Sequence, residues 1–131
     1  MTFLNQGQEY GAAVLCRPPK TGRKNIMAEF HHFGVPTSNP TTGANYIEGA
    51  KVHVSNPDEH PYRIEFLCFD ADSEMPEAIR TRAHAAFIVP SLDAALEGQN
   101  VILPPFDATD ELRCAFIQDG DAVIELMEKR K

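Results

Sequence analysis

The stretch Ala83–Gly98, AHAAFIVPSLDAALEG, changes period at its centre. Ala83 to Val89 is a short apolar run of small and branched residues, read as a strand that Pro90 closes. SLDAALEG, Ser91 to Gly98, then has the marks of a helix. Ser91 can cap the first turn, Asp93 complements the helix dipole, and Gly98 can end it. Downstream, NVILPPF is strand-like but broken by Pro104 and Pro105. ELRCAFIQDGDAVIELME reads as a hairpin with its turn at Asp119-Gly120. The predicted unit is β-α-β-β-β, spanning about residues 83–128.

Working back toward the N-terminus, residues 27–70 begin and end in the same way. They open on HHFGVPT and close on YRIEFLCF, Tyr62 to Phe69, with a further strand expected at Ala50 to Val54. SNPTTGANY and SNPDEHP are rich in turn formers, and no amphipathic helix is visible. The first unit is therefore an abbreviated version of the second, and residues 71–82 link them. Residues 1–26 carry four basic residues and one acid, +3, which leaves −10 of the total −7 for the remainder. CRPPKTGRKN lacks periodicity, so this segment is expected to be an irregular arm, or incidental if the natural start is Met27.

The two units repeat a pattern of polar residues. His32 and His84 each stand at the start of an apolar strand, and Glu65 and Glu125 each sit in the middle of one. The His-to-Glu intervals are 33 and 41 residues, and the shorter one falls in the unit without a helix. A lone histidine at a strand start is usually a partly buried polar residue, and a lone strand glutamate often faces solvent. Neither explanation accounts for all four recurring in register. An ionised glutamate flanked by apolar residues needs a cation or a hydrogen-bonded partner. Two imidazoles with two carboxylates suit a divalent ion such as Zn, Ni, Co, Mn or Fe. His32, Glu65, His84 and Glu125 are thus the expected metal ligands. Strand alternation sends His31 to the opposite face, toward packing or a dimer seam.

Composition narrows the partners. The chain has 131 residues, enough for one compact domain, and a net charge of −7 that disfavours nucleic acid and anionic membrane surfaces. No apolar run is long enough to span a bilayer, and the N-terminus has no basic start followed by an apolar core. Cys16, Cys68 and Cys114 form no CxxC pair, so free thiols in a reducing cytoplasm are expected.

The order His, Glu, His, Glu resembles the vicinal oxygen chelate superfamily, the glyoxalase/bleomycin-resistance fold, over about residues 27–128. AHAAFIVPSLDAALEG is similar to the family's H-x-A-F-x-V-x-D-L-x-x-A opening, with Ser91 in place of Asp. The resemblance implies an α+β fold in which two βαβββ-type modules form a cup-shaped mixed sheet around a metal, here with the first module abbreviated. It implies an isomerase, epimerase or lyase acting through a metal-stabilised enolate on a small oxygenated substrate. Glu125 matches the position of the catalytic base, and a homodimer is the implied assembly. Two alternatives stand beside this enzyme: a non-catalytic binding protein of the bleomycin-resistance type, and a subunit using its metal structurally. The glutathione-binding arginines of lactoylglutathione lyases have no counterpart by motif. By strand alternation Arg63 and Leu67 share a face with Glu65, Met127 shares one with Glu125, and Lys51 shares one with His53. Arg63 or Lys51 could neutralise an anionic substrate, with a surface or rim charge as the favoured reading for each; His60 reads as an exposed turn residue, and Tyr46 as a pocket hydroxyl or a packed ring.

Overall fold

A computed structural model describes residues 27–130 of the chain. The irregular arm expected over residues 1–26 lies outside the described residues, as does Cys16. The eight strands are β1 (Glu29–Pro36), β2 (Asn45–Ile47), β3 (Val52–Val54), β4 (Ile64–Phe69), β5 (His84–Ile88), β6 (Val101–Asp107), β7 (Leu112–Asp119) and β8 (Ala122–Lys129). Two five-residue helices, α1 (Glu77–Thr81) and α2 (Leu92–Leu96), complete the regular structure apart from short 3-10 turns. The strands form one curled mixed sheet, a half-barrel, in the order β2-β3-β4-β1-β5-β8-β7-β6.

That order reads the same way outward from the central β1–β5 pair. β1 and β5 are antiparallel, while β1 pairs parallel with β4 and β5 pairs parallel with β8. The outer strands on each side are antiparallel neighbours. Gly34 lies beside Glu65 in one parallel pair, and Ala86 lies beside Glu125 in the other. The short intervals of the first half suffice because β2 and β3 need only tight turns, and no α-helix lies between β1 and β4.

Period-two alternation places the core. On the convex side Leu92 and Ala95 of α2 pack against Val89, Ala115, Ile117 and Leu126, all buried. Ser91 caps α2 by accepting a hydrogen bond from the Ala94 N–H, as its sequence indicated. Among the described residues, the corresponding face of the first half has no such helix. There Phe30 and Phe33 meet edge to face and remain 46% and 48% exposed. On the concave side Ala50, Val52, Val54 and Leu67 form one apolar wall, and Ala86, Cys114 and Met127 form another cluster.

Several sequence expectations change. The segment 71–82, read as a linker, contains α1, whose Ile79 is fully buried with Phe116 and Val123 and helps close the cup. Pro104 and Pro105 do not end β6. It is the edge strand of the sheet, where a missing N–H costs no ladder bond, and the pairing with β7 shifts register at the prolines. The hairpin turn is Gly120-Asp121, one residue later than expected, because Asp119 pairs with Ala122 and Gly120 takes the positive φ of 60°. Lys51 and Arg63 have left-handed backbones, φ 51° and 57°, and precede their strands. Neither lines the cavity. Among the described residues no helix is long and apolar enough to cross a membrane.

Candidate metal centre

The parallel pairs β1–β4 and β5–β8 bring the four polar residues of the repeat to one place. His32, Glu65, His84 and Glu125 each offer a donor atom, and these atoms all lie within 4.8 Å of one another. All four residues come from one chain. His32 and His84 are buried, at 2% and 1% exposure, and Glu125 is buried at 9%. Glu65 is partly exposed and, with Glu125, lines the cavity of the cup. His84 Nε2 stands 3.1 Å from Glu125 Oε1. His32 Nε2 stands 3.3 Å from Glu65 Oε1 and 3.4 Å from Glu125 Oε1, yet it makes no hydrogen bond of acceptable geometry.

A buried imidazole nitrogen aimed at two carboxylates without a hydrogen bond is an anomaly unless something else satisfies it. Donors sharing one ion at about 2.0–2.2 Å stand roughly 3.0–3.4 Å apart. The three closest separations, 3.1, 3.3 and 3.4 Å, fall in that range, and the full set lies within 4.8 Å. Two imidazole nitrogens and two carboxylates also form the mixed N/O set that first-row divalent ions accept. The residues therefore fit a divalent metal. The geometry does not select among Zn, Ni, Co, Mn and Fe.

Without an ion, protons take its place. Burial alone would lower the affinity of His32 for a proton, but its contacts with Glu125 and Glu65 outweigh this and raise its pKa to about 9. Burial alone would raise Glu125, but His32 and His84 outweigh it and bring the carboxyl down to about 2. Cys114, fully buried beside the site, has its thiol pushed well up by burial first and then by the Glu125 carboxylate.

His31 corrects the facing predicted for the first strand. The β1–β5 register advances two residues on β1, Phe30 to His32, against one on β5, Phe87 to Ala86. His31 is thus the extra residue of a β-bulge, and a bulge lets consecutive side chains avoid strict alternation. Its Nδ1 lies 2.8 Å from His32 Nδ1, its ring meets the His32 ring edge to face, and it lines the cavity. Since His32 Nε2 faces the carboxylates, His32 Nδ1 is the natural donor in that bond and His31 Nδ1 the acceptor. The His31 pKa is lowered, by burial first and then by His32 and Arg63. Its carbonyl also accepts from Arg63 Nε. The signal was present in the sequence. Phe30 and Phe33 are three residues apart, a spacing that cannot hold two apolar residues on one strand face without an inserted residue.

The secondary candidates stand apart from the four candidate ligands. Arg63 donates to Asp58 at 2.9 Å, and Lys51 to Asp72 at 2.7 Å. The Tyr46 hydroxyl donates to Asp70 at 2.7 Å, and its ring stacks on His53 at 4.6 Å. His60 Nδ1 accepts from the Tyr62 N–H in its turn. Leu67 and Met127 do face the cavity, as alternation indicated. Cys68 and Cys114 are free thiols. Gly34 carries no polar group and so gives no sequence signal of a site, yet it leaves the space that the His84 ring fills. No known family model matches the chain, and no curated protein matches it.

Proposed function

We propose that the chain is a metal-dependent enzyme of the vicinal oxygen chelate superfamily, glyoxalase-like, with residues 27–70 as an abbreviated first module and 83–128 as a βαβββ second one. The observation that carries this reading is the convergence of His32, Glu65, His84 and Glu125 from equivalent places in two matched parallel strand pairs, with His32 Nε2 buried against both carboxylates without a hydrogen bond of acceptable geometry. His32, Glu65, His84 and Glu125 hold the ion. When bound, the ion supplies a Lewis acid that polarises neighbouring oxygens of a small substrate.

The chain's own residues supply the rest. Glu125 lines the cavity as a carboxylate, so it would be placed to accept a proton from carbon alpha to a carbonyl. The apolar walls limit water around the reacting carbon. Isomerisation, epimerisation and elimination all begin with that proton abstraction. The homodimer and the cytoplasmic setting follow from the resemblance and the composition, and sedimentation of the purified chain tests the former.

The test of catalysis is solvent deuterium exchange into a panel of 2-hydroxy carbonyl and 2-oxo compounds by metal-loaded protein. Exchange that disappears in Glu125→Gln supports the enzyme. No exchange across the panel, with metal bound, leaves a binding protein of the bleomycin-resistance kind.

A further inference from the structure

The cup in front of the four ligands has a volume of about 570 Å³, within the range of sites that take small organic molecules. Its walls are apolar: Val52, Leu67 and Phe69 on one side, and Phe106, Phe116 and Met127 on the other. Apart from the imidazoles of His31 and His32, the second of which the ion would hold as a neutral ligand, its charged lining is acidic. Glu65 and Glu125 lie at the ligand cluster, and the exposed Asp58, Asp110 and Glu111 also line it. Among the described residues no Lys or Arg lines the cavity. The two cations of the first half are engaged elsewhere, Arg63 with Asp58 and the His31 carbonyl, Lys51 with Asp72.

The charge balance limits what can enter. A divalent ion held by Glu65 and Glu125 is neutralised by them, so the loaded centre leaves no surplus positive charge for a ligand's tail. A carboxylate or phosphate on that tail would be desolvated against apolar walls and then meet Asp110 and Glu111, with no Lys or Arg among the described residues lining the cup. Asp58 shares its charge with Arg63, whereas Asp110 and Glu111 form no ion pair among the described residues; Arg130 beside them is engaged with Asp107 and the Thr109 carbonyl. An uncharged tail meets no such penalty, and a cationic one gains.

Resting on the metal centre proposed above, we infer that the cup selects an uncharged or cationic, apolar-bodied molecule that presents oxygen donors, and rejects ligands bearing a second anionic group, glutathione conjugates among them. Asp110 and Glu111 set that selection.

The test uses the full chain loaded with Co(II) and three benzohydroxamates that share one chelating head and differ at the para position: methyl, trimethylammonium or carboxylate. The visible Co(II) spectrum reports chelation without any need for turnover. The carboxylate compound is expected to bind at least about tenfold more weakly than the methyl compound, and the trimethylammonium compound at least as tightly, with both differences shrinking in about 1 M NaCl. The gap should also narrow in the Asp110→Asn/Glu111→Gln double variant. Equal or tighter binding of the carboxylate compound, or a gap unchanged in the double variant, overturns the charge selection. If Co(II) is taken up, either result leaves the metal centre standing. If no Co(II) binds, both readings fall.

Discussion

Gly34 and His84 stand opposite each other across the β1–β5 seam, and the imidazole fills the space that a side chain on residue 34 would occupy. A Cβ built on Gly34 would lie 2.5 Å from His84 Nε2 and 2.9 Å from Nδ1. On the other side of the seam His32 is paired with Ala86, also small. Each half of the sheet thus gives up side-chain volume so that the other half's histidine can reach the centre.

Gly34→Ala must therefore displace His84 or push β1 away from β5. Metal affinity is expected to fall by about tenfold or more, with about 1–3 kcal/mol of stability lost through overpacking. Isothermal titration with a divalent ion and thermal melts of the metal-free protein read the two effects separately. Unchanged affinity would mean that the position of His84 does not matter to the ion.

His31 should act through His32. Replacing it with Ala removes the acceptor that holds Nδ1 of His32, and metal affinity is expected to drop by about 10–100-fold, the usual effect of removing a partner that orients a ligand. Asn can place an oxygen near the position of the imidazole Nδ1, so His31→Asn should retain most of the affinity. A structural role alone would make the two variants lose stability together without this split in affinity. His31 is partly exposed and lies in a bulge, so both variants should fold.

The convergence of His32, Glu65, His84 and Glu125 was legible in the sequence because a strand has a strict period of two and because the repeat fixed both registers at once. His32 with His84 and Glu65 with Glu125 could be matched without knowing how the strands pair. Local irregularity was harder to read. A bulge adds a single residue and reverses the facing of everything before it, which is why His31 was assigned to the wrong side. The helix α1 is five residues long, too short for helical periodicity to register, and it forms because Ile79 finds a buried place beside Phe116. The prolines of β6 looked like terminators because sequence alone does not reveal which strand will lie at the edge.

The metal-free protein should show a pH dependence set by His32 and Glu125. His32 has a raised pKa of about 9, so its protonated form stabilises the fold fully below its ordinary 6.5. That contribution is lost as pH rises from there through 9. Glu125 has a lowered pKa of about 2, so its stabilisation is full above its ordinary 4.5 and is lost as pH falls toward 2. Melts in the presence of a chelator should therefore be highest near pH 5–6 and decline on both sides. Because the ion replaces the His32 proton, metal uptake near pH 7.5 should release about one proton per ion, and uptake above about pH 10 should release none. Titration in buffers of different ionisation enthalpy gives that count. Proton-independent binding at pH 7.5 would mean that His32 is not a ligand.

The most direct measurement is the divalent metal content, by elemental analysis, of protein purified without added metal, for the unaltered chain and for His84→Ala. The metal centre described above predicts close to one ion per chain in the unaltered protein and a loss of most of it in the variant, with the variant still folded by circular dichroism. An unaltered chain that carries and takes up no divalent ion, or a His84→Ala protein with undiminished metal, would contradict it.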